Sequence, residues 1–298
     1  MKVTFVGLGS IGAPMAGRLA DHFGAASPIT VWNRTPARAE AFAASHECRV
    51  AGSFREAVAN ADVVVTCLST SYNVEVLLEQ DGVEAFALKP GSMLLDCTSG
   101  EPDVSRRIAE RLQSNGIGFA DCPVSGGVAA AVAGTLTVMV GCHDADFTRA
   151  RPILEIFAKR IERVGPVGAG HAMKSINNAL AAVSIIAFAE GIAALAKFGV
   201  PVSTALEVIN SSSGRSFFSE VLAPQIVSGR RAPTFRLALM EKDVGIATTL
   251  MKEVDVDGAV IPQVANILSG IRADIGEDAD YLELIERVER QSGVSIRS

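Results

Sequence analysis

Three glycines in Gly7-Leu8-Gly9-Ser10-Ile11-Gly12 follow an apolar run and precede a segment of helical period. Glycines at this spacing allow a tight turn, let backbone N–H groups approach a pyrophosphate, and let the following helix pack closely. The helix N-terminus adds positive potential. The spacing alone also fits an ordinary glycine turn, but the flanking strand, helix and next strand point to a dinucleotide site. That next strand ends in Asn33-Arg34-Thr35, about twenty residues after the last glycine. An acid there would accept from a ribose diol, whereas an arginine attracts a 2′-phosphate. Asn33, Arg34 and Thr35 therefore favour NADP, with NAD still usable. The plainer alternative for Arg34 is a surface charge that pairs with Glu40 or caps a carbonyl.

A second group is Ser125-Gly126-Gly127, after Asp121 and followed by Gly134-Thr-Leu-Thr137. It places a hydroxyl and two flexible backbone amides beyond a strand's carboxyl end, where open α/β sheets take ligands, and the amides can form a small anion nest for a carboxylate. A plain surface turn fits the same letters. A third group is Lys174 and Asn178, four residues apart and so on one face of a helix. One pocket can receive both, although a solvated lysine beside a helix-facing amide fits the spacing too.

The elements that must position these groups are read from periodicity. Up to residue 165, short β-branched runs alternate with helical patterns, as in βαβ units of a doubly wound, mostly parallel sheet. Strands are predicted at 3–6, 28–32, 62–67, 93–96, 118–121 and 135–140, and helices at 14–21, 37–45 and 104–115. After the glycine and proline cluster at 165–170 no strand pattern follows. A long helix is predicted over 172–198, stopped by Gly199 and Pro201. Later breaks at 211–214, 229–233 and 255–258 separate shorter helices. The domains expected are 1–165, a dinucleotide-binding α/β unit, and 166–298, an all-α unit. The acidic cluster at 277–280 reads as a solvated helix start.

Composition narrows the class. The chain has 298 residues, 49% hydrophobic and 20% charged, with 27 Lys plus Arg against 33 Asp plus Glu. That is a folded chain of about two domains, and a net charge of −6 offers no field for nucleic acid. Five cysteines, odd in number and without a C-x-x-C pair, argue against a disulfide framework or a zinc site and favour a reducing cytoplasm. His22, His46, His143 and His171 show no ligand spacing, so no metal is expected. The glycine-broken N-terminal run, interrupted by Arg18, reads as mature protein, not a signal peptide. The apolar stretch at 179–198 contains Glu190 and Lys197 and reads as a buried helix with no membrane partner.

Together these motifs, from 5–12 with Met15-Ala16, through 121–127 and 134–137, to Lys174, Asn177-Asn178 and Lys242-Asp243, resemble the β-hydroxyacid dehydrogenases over nearly the whole chain. The resemblance implies a Rossmann domain joined to an all-helical domain, an active site in the cleft, and homodimers or homotetramers formed through the helices. It makes Lys174 the catalytic acid/base. It assigns Ser125, Gly126 and Gly127 to the carboxylate of a small substrate and Asn178 to placing that substrate near the lysine. Leu68, Asn73, Thr98, Ser99 and Lys242 fall where family members contact cofactor, and Phe235 and Asp243 where some semialdehyde reductases complete the pocket. Departures are Ile11 for the usual Met, Ser69 for a Pro, and Ala130 in a loop often holding Gly. None of them removes a functional atom.

The reaction implied is hydride transfer between NADP(H) and a short 3-hydroxy acid, or its semialdehyde or 2-oxo counterpart. In oxidation Lys174 must be neutral, so its pKa must fall from about 10.4 to roughly 7 to 8. Residues 211–218, with Arg215, Phe217 and Phe218, together with Phe235, are candidates for the distal pocket; plain core is the alternative for the phenylalanines. Two other functions remain: a catalytically silent dinucleotide-binding sensor or interaction module, which would not need Lys174, Asn178 and Ser125 together, and an imine reductase of the same architecture, a family that usually lacks the lysine.

Overall fold

The computed structural model describes residues 1–79, 87–229, 235–276 and 278–296. Residues 230–233 of the expected break at 229–233 and Glu277 of the acidic cluster lie outside the described residues. By contacts, the chain divides into two compact units, 1–174 and 175–298.

The first unit is built on a nine-stranded sheet. Its strands are β1 (Val3–Val6), β2 (Ile29–Trp32), β3 (Cys48–Val50), β4 (Val63–Thr66), β5 (Met93–Asp96), β6 (Gly118–Asp121), β7 (Val124–Ser125), β8 (Leu136–Gly141) and β9 (Ala158–Gly165). The order is β3-β2-β1-β4-β5-β6-β8-β7, with β9 paired to β8. From β3 to β6 every pairing is parallel. Both faces of the central strands are buried, as helices on both sides require. Phe5, Val65 and Leu95 enter one apolar cluster, and the alternate residues Val6, Val64 and Leu94 enter another. The sheet is a Rossmann sheet, doubly wound and mostly parallel.

Strand β8 departs from the expected pattern by running antiparallel to β6. Between them the chain makes only the two-residue β7, itself antiparallel to β8, and one short helix, Gly127–Ala133. That connection does not carry the chain back to the amino edge, as a parallel crossover must.

Three strands were not expected from the sequence. β3 is a three-residue edge strand, β7 has two residues, and β9 reads AKRIERVG with mostly exposed positions. Short or charged edge strands carry little apolar alternation, because edges are protected by charge.

The helix expected over 172–198 spans Ala169–Phe198. It ends as expected at Gly199, where φ is +97° and the amide donates to the Ala196 carbonyl. By length and mean hydropathy this helix could cross a membrane, but Ile185, Ala189 and Ile192 on one side of it are core residues of the second unit. The other described elements of this unit are helices Val202–Asn210, Ala223–Val227, Leu237–Glu253, Val260–Ile275 and Leu284–Ser292, a π turn Phe218–Leu222 and a 3₁₀ turn Tyr281–Glu283. Among the described residues it contains only one isolated bridge, Arg236 with Asp280, and no strand. Asp280 begins the 3₁₀ turn with a capping box to Glu283.

Candidate active site

The glycine loop joins β1 to helix Gly12–Phe23. Gly7 has φ +102°, and a Cβ there would overlap the Cys67 carbonyl; a Cβ on Gly12 would overlap the Gly7 carbonyl. At Gly9, by contrast, nothing lies within 4 Å of where a Cβ would stand. The cradle is therefore tight where the chain turns and open where a phosphate must approach, which fits a dinucleotide.

Asn33 braces this loop. Its Oδ1 accepts from the Leu8 amide at 2.9 Å, and its Nδ2 donates to the Thr35 carbonyl at 3.0 Å. Arg34 and Thr35 are exposed, and among the described residues Arg34 makes no ion pair, with Glu40 or otherwise. A cavity of about 700 Å³ is lined by Leu8, Gly9 and Ser10 and mainly by helices Gly12–Phe23 and Pro36–Ala43, with Arg18, Arg38 and His46 on its wall; Asn33, Arg34 and Thr35 do not line it. Arg38 was not singled out from the sequence. Its signal was its place four residues after Arg34, in the first turn of helix Pro36–Ala43.

Along the carboxyl edge, the Leu68 amide donates to Thr98 Oγ1 at 3.1 Å, and the Thr98 amide donates to Asp96 Oδ1 at 3.1 Å. Asn73 opens its helix with its amide on Thr70 Oγ1, 3.1 Å, while Thr70 Oγ1 donates to Asn73 Oδ1 at 2.9 Å. Ser99 is half-buried beside Thr98. Leu68, Thr98 and Ser99 thus follow neighbouring strands β4 and β5, and Asn73 lies in the helix after β4.

Ser125 ends β7, paired with Thr137 of β8. Gly126 and Gly127 follow with φ of +131° and +69°, conformations that favour glycine. Lys174 lies in the second turn of helix Ala169–Phe198 and is 9% exposed.

Sequence reasoning gave no role to the residues that fix this helix start. Asp121 accepts from the amides of Gly168 and His171, and the buried His171 ring reaches Thr98 and Ser105. The signal was an acid at the head of the 121–127 motif and a histidine three residues before Lys174. Burial pushes the Asp121 carboxyl above its usual range, opposed by His171 and by the two amides it accepts from.

In the second unit the structure brings Asn178, Asp243 and Lys242 together. Asn178 Nδ2 donates to Asp243 Oδ2 at 2.5 Å, and Lys242 Nζ lies 2.9 Å from Asp243 Oδ1. Asn178 Oδ1 accepts from Asn177 Nδ2 at 3.2 Å. Phe235 is part of the helical core, its ring edge-on to Tyr281 and its amide on Asp280 Oδ2. Phe218 packs on Phe188 in the same core, Phe217 is exposed, and Arg215 faces Glu220 at 3.9 Å.

A dinucleotide-ready parallel sheet followed by a helical unit, with a buried lysine on the helix that leaves the sheet, defines the class of nicotinamide-dependent oxidoreductases. Comparisons with known proteins specify it further. Residues 2–165 match the family profile described as the NAD binding domain of 6-phosphogluconate dehydrogenase. Residues 168–288 match the profile described as NAD-binding of NADP-dependent 3-hydroxyisobutyrate dehydrogenase. The chain is 34% identical to 2-(hydroxymethyl)glutarate dehydrogenase of Eubacterium barkeri, over 99% of this chain and 97% of that protein. It is 36% identical to an NAD-dependent L-serine dehydrogenase of Pseudomonas aeruginosa, over 83% and 84% of the two chains. Among solved structures, Mycobacterium tuberculosis 3-hydroxyisobutyrate dehydrogenase with L-serine superposes with a TM-score of 0.86 at 32% identity, covering 96% of this chain and 98% of that one. The chain belongs to the β-hydroxyacid dehydrogenase family and is an NAD(P)-dependent oxidoreductase.

Proposed function

We propose that this enzyme interconverts a short 3-hydroxy acid and its semialdehyde or 2-oxo counterpart, with NADP(H) preferred and NAD usable. The observation that carries this reading is the buried residue Lys174 in a helix start anchored to the carboxyl edge of the sheet. When bound, the nicotinamide supplies the hydride acceptor or donor.

In the oxidation direction the substrate alcohol becomes a carbonyl, and Lys174 Nζ takes the hydroxyl proton; in reduction it returns that proton to the new alkoxide. Ser125 with the amides of Gly126 and Gly127 holds the substrate carboxylate. Asp243 fixes the Asn178 carboxamide through one N–H, which leaves the second N–H to orient a substrate oxygen. Lys242 shares Asp243 and supports the cofactor, as do Leu68, Asn73, Thr98 and Ser99, while Phe235 and Asp243 shape the pocket. Arg34, with Thr35 and Asn33 beside it, receives the adenosine 2′-phosphate.

We assign dinucleotide binding to 1–165, which also carries the Ser125–Gly127 carboxylate loop, and the rest of substrate binding, with self-association, to 166–298, from which Lys242 reaches the cofactor. All five cysteines are free, which supports a reducing cytoplasm as the enzyme's location. The partner is a small carboxylate; nucleic acid and membrane have no part in this reading.

The test is a spectrophotometric screen of NADPH and NADH consumption against tartronate semialdehyde, succinic semialdehyde, glyoxylate and methylmalonate semialdehyde, and of NADP⁺ and NAD⁺ reduction by 3-hydroxyisobutyrate and L-serine. Lys174→Ala is expected to keep NADPH affinity and to lose about 10² to 10⁴ in turnover. Arg34→Ala is expected to weaken NADPH far more than NADH. Turnover that survives Lys174→Ala removes the amine from the reaction, and equal weakening of both dinucleotides removes Arg34 from the 2′-phosphate.

A further inference from the structure

Asp121 closes β6 and uses both carboxylate oxygens on the start of helix Ala169–Phe198. Oδ1 accepts from the Gly168 amide at 2.7 Å and Oδ2 from the His171 amide at 2.8 Å. A helix start leaves such N–H groups without partners inside the helix, and a carboxylate there also meets the positive end of the helix. The fit has no slack. A Cβ on Gly170 would stand 2.5 Å from the Met139 carbonyl oxygen and 2.7 Å from Asp121 Oδ2. A Cβ on Gly141 would stand 2.7 Å from the Gly170 amide nitrogen. Glycine at both places lets the first helical turn press against the ends of β6 and β8.

His171 extends the anchor sideways. Its side chain is fully buried, with Nε2 at 2.9 Å from the Thr98 carbonyl and Nδ1 at 2.6 Å from Ser105 Oγ. A carbonyl only accepts, so Nε2 carries the hydrogen. Thr98 is held in turn, its amide on Asp96 Oδ1 and its Oγ1 receiving the Leu68 amide. Asp96 Oδ2, buried and without a hydrogen-bond partner among the described residues, lies 4.0 Å from His171 Nε2. The last residue of β6 and the residues that follow β4 and β5 are thus tied to one helical turn, three residues before Lys174. All of them belong to the first unit.

We propose that Asp121 and His171 are positioning residues: they clamp the turn from which Lys174 projects and couple its place to the loop segments at Leu68 and Thr98. The inference rests on Lys174 being the acid/base. A cap that served stability alone would be felt in unfolding and would leave turnover per folded enzyme unchanged. A clamp that sets the amine's place is felt in kcat while cofactor affinity stays.

The experiment compares Asp121→Asn, His171→Leu, His171→Gln and Lys174→Ala in the full chain. NADPH affinity is read by fluorescence, kcat and KM with 3-hydroxyisobutyrate and NADP⁺, and the rate at which acetic anhydride acylates Lys174 by mass spectrometry. Asn at 121 offers one acceptor for two N–H groups. Asp121→Asn and His171→Leu are therefore expected to lower kcat by about 10- to 100-fold, with KM and NADPH affinity within about threefold of the parent. Both are also expected to change Lys174 acylation by at least about threefold relative to the other lysines, because the amine's surroundings change. His171→Gln, whose amide N–H can reach the Thr98 carbonyl, restores both readouts.

Parent-like kcat and acylation in Asp121→Asn and His171→Leu, with Lys174→Ala inactive, overturns the clamp and leaves the role of Lys174 standing. Turnover in Lys174→Ala overturns that role, and the acylation rates then decide the clamp alone. Should Asp121→Asn fail to fold, the two His171 variants decide the matter: a loss in Leu that Gln does not restore overturns the proposal.

Discussion

Gly9 and Gly12 show how one residue type answers two demands a few positions apart. A methyl at Gly12 has the Gly7 carbonyl in its way, whereas a methyl at Gly9 meets nothing. Gly12→Ala is expected to destabilise the fold by about 1–3 kcal/mol, because packed backbone must move. Gly9→Ala is expected to leave unfolding within about 0.5 kcal/mol of the parent while the methyl fills space that a pyrophosphate needs. A weakening of NADPH binding of about tenfold or more, about 1.4 kcal/mol, is then expected for Gly9→Ala. Chemical denaturation and fluorescence titration separate the two. A Gly9→Ala protein that binds NADPH as the parent does places the dinucleotide elsewhere.

Within the second unit, Asp243 on helix Leu237–Glu253 is the point where that helix meets Asn178 of the long helix. It is 1% exposed and joined to both Asn178 and Lys242. Asp243→Ala takes the acceptor from a buried amide and one charge partner from Lys242, and should cost about 1.5–3 kcal/mol by urea unfolding. An unchanged midpoint would mean that water replaces the carboxylate. This link was not legible in the sequence: the motif suggested a place for Lys242 and Asp243, but no periodicity says that Asn178 and Asp243, 65 residues apart, share a hydrogen bond between two helices. The elements themselves were legible where burial imposes a pattern. The apolar runs of β1, β4 and β5 and the helix stop at Gly199 were readable because two buried faces, or one positive φ, leave few residue types that fit. β3, β7 and β9 were not, because their pairing is supplied by backbone and their side chains answer to solvent. The same holds for the site. Glycines and the lysine announce themselves by type, while Asp121 and His171 act through backbone amides and a carbonyl that any sequence provides.

For the molecule as a whole, the long helix poses the main question, since it is more apolar than one core requires. Leu180 is 57% exposed and Phe198 88%, and Ala181, Ala187, Gly191 and Ala194 are exposed on the same helix. Glu190 and Lys197 are exposed beside these residues, so the apolar surface is one face of the helix; a second copy of the chain covers such a face with an equal one, as closed dimers do. Self-association through this helix, as a dimer or a pair of dimers, is the arrangement we propose. Leu180→Glu puts a carboxylate into that contact, and two copies related by symmetry each bring one. Sedimentation of the parent at micromolar concentration is expected to give a multiple of 31.1 kDa, and Leu180→Glu to move it toward that single mass. Because an oligomer is stabilised by its own concentration, the parent's unfolding midpoint should rise with protein concentration, and that of Leu180→Glu should do so less. A parent that sediments as one chain, with a midpoint independent of concentration, leaves this face to solvent and ends the proposal.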